Sequence, residues 1–229
     1  MKLRAFTMAE MLVAMAIIGI VSALTIPVLK QDYQKKMYVA KLQKAIHVLN
    51  EGFKTMRVEE GVRFLSRTNM TDCADDIYAD DLTDDERICI TSHMKKYFNI
   101  IKHAKQDSGS EYYDESKMRN FAGSGNIGSH HRVFIENYSF YANDNILYAP
   151  FVRDIEIYVD INGKNAPNQM GRDIFVLEVN DLGEVIPLCS GGDWKNNPNK
   201  PNCKCDNTHT GIGKGCAARI KEEGWKMNY

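Results

Sequence analysis

Three groups of residues in this chain have types and spacings that could do chemistry. Glu10 is the only charged side chain in the apolar run from Phe6 to Leu29. A carboxylate in hydrocarbon is costly unless a cation neutralises it, so its chemistry would be charge pairing with a partner. Six cysteines, Cys73, Cys89, Cys189, Cys203, Cys205 and Cys216, all follow that run and could pair as disulfides or ligate a soft metal. The segment from Asp160 to Asp173 places Asp160, Asn162 and Asp173 around a turn that Gly163 permits. These are the oxygen ligands a hard cation such as Ca²⁺ prefers.

Each group has a plainer alternative. In the 160–173 segment the EF-hand pattern is incomplete, with Lys164 at an acidic position and no Glu at its end. The alternative is a hairpin loop whose Asp and Asn side chains bond their own backbone. An even number of cysteines confined to the part beyond the apolar run points to disulfides in an oxidising compartment. Cys73 with Cys89 would close a local loop, and the other four would form a C-terminal cluster. Zinc held by Cys189, Cys203, Cys205, Cys216 and His209 is the competing reading, but the single residue between Cys203 and Cys205 gives poor bite. Pro198, Pro201 and the glycines at 191, 192, 211, 213 and 215 make this a looped region that needs staples.

Catalysis finds little support. His130-His131 lies in a Gly/Ser loop with no carboxylate at helical metal spacing and no nucleophile motif beside it. Ser190-Gly191-Gly192 lacks the G-x-S-x-G frame, and no P-loop or dinucleotide-binding glycine pattern occurs. No catalytic residue is assigned and no cofactor is required. The chain has 29 basic and 30 acidic residues and a net charge of −1, so no global field draws nucleic acid. Lys195, Lys200, Lys204 and Lys214 are the nearest approach to a basic cluster.

The elements that must position these groups follow from hydrophobic spacing. The run Phe6 to Leu29 is 24 residues, about 36 Å as a helix and long enough to cross a bilayer. Its length and its carboxylate argue against a cleaved secretory signal peptide. Lys2 and Arg4 before it, against Lys30, Lys35 and Lys36 after it, give its orientation only weakly. Beyond it Val39, Leu42, Ile46, Leu49, Phe53 and Met56 recur at helical spacing, with Lys41, Lys44, Asn50 and Lys54 on the wet face. Gly61 ends the helix.

Between Thr71 and His131 the pattern reads as an inserted region. An acidic loop precedes Thr83-Asp84-Asp85-Glu86, a capping box opening a short helix through Ile90, Met94, Tyr97 and Phe98. Residues 105 to 131 read as a long irregular loop. Strand character follows at Val133–Tyr141, Ile146–Val152, Ile155–Ile161, Ile174–Val179 and Glu184–Leu188, close enough together for an antiparallel meander. The aromatic C-terminus, Trp225 to Tyr229, packs on the sheet.

The residues Ala5-Phe6-Thr7-Met8-Ala9-Glu10-Met11-Leu12-Val13-Ala14 resemble the N-terminal signature of type IV prepilins and type II secretion pseudopilins. The resemblance implies a leader of residues 1–5, cleavage between Ala5 and Phe6, and N-methylation of Phe6. Glu10 then takes mature position five and Pro27 the position of a helix-bending proline. The family usually has Gly before the cut; here it is Ala5. The D-x-N-G turn with the following P-N, Gly and Asp resembles a loop seen in many pseudopilin-like proteins.

The fold implied is α+β: a long N-terminal helix, half membrane and half amphipathic, packed on an antiparallel sheet with disulfide-stapled loops. The expected division is a leader at 1–5, a transmembrane and filament-core helix at 6–29, and an extracytoplasmic globular domain at 30–229. Within the last, the helix runs to 60, the insertion spans 71–131, the sheet 133–188 and a Cys-rich loop region 189–229. By resemblance the partners are other pilin or pseudopilin subunits, prepilin peptidase, and an inner-membrane assembly platform with its ATPase. The precursor would span the inner membrane once. The competing class is a membrane-anchored binding or enzymatic domain using residues 6–29 as a tether.

Overall fold

The computed structural model of the protein describes residues 7–73, 83–98, 100–103, 119–123, 140–142, 146–151, 156–163, 165–195, 203–205 and 212–229. Ala5, Phe6, His130, His131, Lys200, His209, most of 105–131 and residues 133–139 of the first expected strand lie outside these. The chain divides into two compact units, Met1–Met37 and Tyr38–Tyr229.

Helix α1, Met8–Glu59, belongs to both. Its first half is rich in Ala, Met and Leu, residues that lose little on entering a helix, and is interrupted by Gly19 and Pro27. Its end is a Schellman motif: the Gly61 N–H donates to Val58 O at 3.2 Å and the Val62 N–H to Arg57 O at 3.0 Å.

In the second unit the expected stripe is the core face. Val39, Leu42, Leu49, Phe53 and Met56 are buried, together with Tyr38 and Ala45, and Ile46 packs against them. Gly52 shares this face because a methyl there would overlap the Phe98 ring, which meets Phe53 edge-on at 5.0 Å.

Helix α2, Asp84–Tyr97, opens with the expected capping box. The Thr83 N–H and hydroxyl each donate to Glu86 at 2.6 Å, and the Glu86 N–H returns to Thr83 Oγ1. Ile90, Met94 and Phe98 turn inward from it. Two single 3-10 turns, Leu65–Arg67 and Thr71–Cys73, link α1 to this region.

The sheet is an antiparallel meander of six strands in chain order. They are β1 (Ile100–His103), β2 (Phe140–Ala142), β3 (Leu147–Phe151), β4 (Glu156–Asp160), β5 (Ile174–Val179) and β6 (Val185–Pro187). Four of the expected strands appear as β3 to β6, β5 with the expected bounds and the other three with trimmed ends, and β2 overlaps the end of the fifth. β1 is additional: Ile100–His103, within the expected insertion, pair with β2. Every residue of β4 is buried, so both faces of the sheet are covered there.

Asn50 corrects the reading of α1. It does not face water: Asn50 Oδ1 accepts the Val185 N–H at 2.9 Å, and Nδ2 donates to Val185 O at 3.4 Å and to Ile46 O at 2.9 Å. The amide thereby satisfies the outer edge of β6, which would otherwise offer an unpaired template. Asn50→Ala is expected to lower the unfolding free energy by about 1–3 kcal/mol, because it strips partners from a part-buried strand edge. Chemical denaturation of the full chain in detergent would measure it.

Candidate functional site

The first unit is dominated by side chains with nothing to pack on. From Met8 to Leu29 the large apolar residues, among them Leu12, Ile18, Leu24 and Leu29, are exposed on all sides of α1. One helix in the described residues is long and apolar enough to cross a membrane, and it is this one. A helix apolar all round needs lipid or partner helices. Pro27 lies inside it and lacks the N–H that would close the next backbone bond.

Glu10 is held at the start of this helix. Its Oε2 accepts the Thr7 N–H at 2.8 Å and the Thr7 hydroxyl at 2.9 Å, while the Glu10 N–H donates to Thr7 Oγ1 at 3.2 Å. This is a second capping box, with Thr7 as N-cap. The spacing Thr7-x-x-Glu10 is legible in the sequence as such a signal. Among the described residues Oε1 takes no bond.

In the second unit, the 160–173 loop bonds largely to itself. Asp160 Oδ1 accepts the Asn162 N–H at 3.1 Å, Asn165 Nδ2 donates to Asn162 O at 2.8 Å, and Asn162 Nδ2 donates to Ala166 O at 3.3 Å. The two oxygens of Asp173 accept the Asn168 N–H at 2.8 Å and the Gln169 N–H at 2.6 Å. Asp160 and Asp173 are fully buried. Burial pushes the Asp173 carboxyl up to about 6, against the lowering effect of the Gln169 and Asn168 N–H groups. Asn162 Oδ1 and Asn168 Oδ1 are buried without partners among the described residues.

Four other parts of the chain meet this loop. Arg119 pairs with it through Arg119 N–H to Asn168 O and Met170 N–H to Arg119 O, both 3.0 Å, and Gln169 Nε2 donates to Phe121 O. A portion of the expected irregular loop is thus an ordered bridge. Gly171, at φ +74°, lies where a side chain would strike Cys216 Sγ and the Phe121 ring. The Tyr229 hydroxyl donates to Gly171 O at 2.7 Å, and its ring meets Phe121 edge-on. On α1, Tyr38 is buried close to the loop; burial first, then the Asp173 charge, raises its phenol pKa.

All six cysteines are bridged, as Cys73–Cys89, Cys189–Cys203 and Cys205–Cys216. The C-terminal four are consumed in two disulfides, which removes the zinc alternative for them. From the last of these cysteines runs an element not expected in this glycine- and proline-rich region: α3, Cys216–Glu222, burying Ala217, Ala218 and Ile220. Glu222 accepts the Gly191 and Gly192 N–H groups and Trp194 Nε1. Arg219 lies over the rings of Trp194 and Tyr229 and donates to Cys205 O at 2.7 Å. Trp225 and Tyr229 pack against the core cluster that holds the sheet's buried residues, and Tyr229 also meets Phe121 and Arg219.

Two of the four lysines of the expected basic cluster are engaged with other side chains. Lys214 forms a nearly buried ion pair with Glu156 of β4 at 2.7 Å, and Lys195 lies over the Trp194 ring.

With this geometry in place, comparison with known proteins is informative at one end of the chain. Residues 1–26 match the prokaryotic N-terminal methylation motif, the signature of type IV prepilins and pseudopilins. No curated protein and no solved structure matches. The chain therefore carries the prepilin-type segment on an α+β, pilin-like arrangement of long helix, antiparallel sheet and disulfides. Such a segment implies, in general terms, assembly with other pilin-type subunits and recognition by prepilin peptidase. A membrane-anchored precursor fits the motif and the long apolar helix. Proteins of this class are usually structural.

The Asp173 shift makes a pH prediction. Its folded value, about 6, lies above the ordinary 3.8, so between these values the folded state holds a proton that the unfolded chain has released. Its contribution to stability is therefore greatest below pH 4 and is lost as pH rises through 6. The shift corresponds to a difference on the order of 3 kcal/mol across that window. Asp173→Asn loses an acceptor and is expected to be less stable, but with this component of the pH slope gone. Denaturation midpoints of both forms at intervals from pH 4 to 7.5 would read the difference.

Proposed function

We propose that this chain is a prepilin that prepilin peptidase cuts between Ala5 and Phe6, with N-methylation of Phe6, and that it assembles through α1 into a type IV pilus-like or type II secretion pseudopilus filament. The observation that carries the reading is the methylation motif over residues 1–26 on an apolar helix bearing one carboxylate, Glu10. In assembly Glu10 would accept the α-amine of Phe6 from a neighbouring subunit. One oxygen caps its own helix at Thr7 and the other is available for that amine. Pairing removes an uncompensated charge in low dielectric only when subunits meet in one register. Pro27 would bend the packed helix.

The precursor spans the inner membrane once with its globular domain extracytoplasmic, where the three disulfides are stable. An inner-membrane platform and its ATPase then draw it into the filament. The filament serves protein secretion, adhesion and motility, or DNA uptake, and this subunit performs no catalysis. The engagement of Lys214 with Glu156 leaves a weaker basic surface and disfavours a DNA-binding role. The length of chain between Thr71 and His131 favours a minor or specialised subunit.

No cofactor is required on this reading. The self-bonded Asp173 favours a loop held by its own hydrogen bonds over a calcium site at Asp160, Asn162 and Asp173. The melting temperature is accordingly expected to be the same in millimolar calcium and in chelator. A rise with calcium that disappears in Asp160→Ala would assign the ion to this loop instead.

Processing is tested by intact mass and N-terminal sequencing of the protein from its native membrane, expected to begin at methylated Phe6. An intact Met1, or a cut beyond Leu24, would replace the filament reading with an anchor or a signal peptide. Glu10→Leu is expected to abolish filament incorporation while leaving membrane insertion intact; a simple tether would tolerate it.

A further inference from the structure

The three disulfides are not equivalent. Cys189, Cys203, Cys205 and Cys216 are all at most 8 % exposed, whereas Cys73 and Cys89 are half-buried and within reach of solvent. Beside this accessible bridge stands His93, also half-buried, with no hydrogen-bond partner among the described residues. The sulfurs of Cys73 and Cys89 and an imidazole nitrogen of His93 all lie within 4.8 Å of one another.

The local fold explains the convergence. Cys89 and His93 are four apart on α2, so both project from one side of the helix. That helix is fixed at its start by the Thr83 capping box and along its length by the burial of Ile90, Met94 and Phe98. Cys73 comes from the 3-10 turn Thr71–Cys73, whose Cys73 N–H donates to Met70 O. Neither side of the tripod depends on the disulfide alone for its position.

We propose that Cys73, Cys89 and His93 form a redox-gated site for a borderline-soft divalent cation such as Zn²⁺, closed when the bridge is oxidised and open when it is reduced. Two thiolates and one neutral imidazole are ligands such a cation takes, at about 2.3 Å to sulfur and about 2.0 Å to nitrogen, with water completing a tetrahedron. A dithiol reductant supplies two electrons and two protons: the Cys73–Cys89 bond breaks, two thiols form, and the reductant closes to its own cyclic disulfide. Metal entry then displaces the two thiol protons to solvent, and the His93 lone pair becomes the third bond. A small-molecule disulfide oxidant then takes up the two electrons and two solvent protons, leaving as two thiols while the Cys73–Cys89 bond re-forms and the ion is released. The cation thus replaces the disulfide as the tie between the 3-10 turn and α2.

The test uses the tag-free full chain in detergent, treated briefly with a dithiol at neutral pH, freed of reductant without oxygen, and titrated with Co²⁺ as a spectroscopic probe. Alkylation and mass spectrometry are expected to find the free thiols at Cys73 and Cys89 alone. Co²⁺ is expected to bind one to one, with thiolate charge-transfer bands and the intense visible bands of a tetrahedral site, to yield to Zn²⁺, and to be released on reoxidation. His93→Gln, checked for unchanged helix content by circular dichroism, is expected to free the same two thiols. It should weaken Co²⁺ binding by more than the roughly 10- to 100-fold that loss of an outer partner costs. Reduction of all three bridges together, free thiols at 73 and 89 with no tetrahedral Co²⁺ spectrum, or unaltered binding in His93→Gln would each overturn the proposal.

Discussion

The carboxylate of Asp173 is the group around which the second unit is arranged. Its two oxygens accept successive N–H groups, from Asn168 and Gln169, and so fold the chain between β4 and β5 back on itself in the interior. That turn then offers its remaining groups outward. Arg119 bonds on both sides of Gln169, Tyr229 bonds to Gly171, and Cys216 of α3 lies against the same glycine. One buried acid thus sets where three distant stretches of chain come to rest. Because the bonds are to backbone, their directions follow from φ and ψ, and a neighbouring loop can use them as fixed points.

Burying that charge has a cost, visible in its raised pKa. Elsewhere in the unit charge is neutralised directly, as in the nearly buried pair of Lys214 with Glu156, or, at the exposed Glu222, spread among donors from Gly191, Gly192 and Trp194. The hydrophobic core supplies the compensation. Tyr38, Leu42, Leu49, Phe53 and Met56 from α1 join Ile157, Val159, Phe175, Leu177 and Val179 from the sheet in one cluster. Two disulfides of 14- and 11-residue separation brace the C-terminal region, where glycine and proline weaken regular structure. Asn50 closes the remaining edge at β6.

Helix α1 obeys two different rules along its length. In the second unit it is amphipathic, because one face must leave water and the other stay in it. In the first it is apolar all round, because its surroundings are meant to be hydrocarbon or other helices. Glu10, as the capping-box partner of Thr7, helps start the helix. The prepilin-type motif gives these features a common reason.

The elements that short-range patterning governs were legible in the residues themselves. Helical spacing from Val39 to Met56, the stop at Gly61, the capping box at Thr83 and the β-branched runs at Ile174–Val179 and around β4 all depend on neighbours a few positions apart. The same is true of the Phe6–Leu29 run with its single acid. Tertiary contact decided the rest. Asn50 reads as a wet residue until a strand edge 135 positions away claims its amide. Ile100 and Ile101 become β1 only because β2 returns beside them. Cys216–Glu222 is helical despite the glycines before it, because its alanines and Ile220 are buried against β5 and β6. The order of disulfide pairing among the last four cysteines follows from which sulfurs the folded loops bring together. Local sequence carries backbone preference and periodicity; the partners of a polar side chain are set by residues far along the chain, which only the closed fold brings within bonding distance.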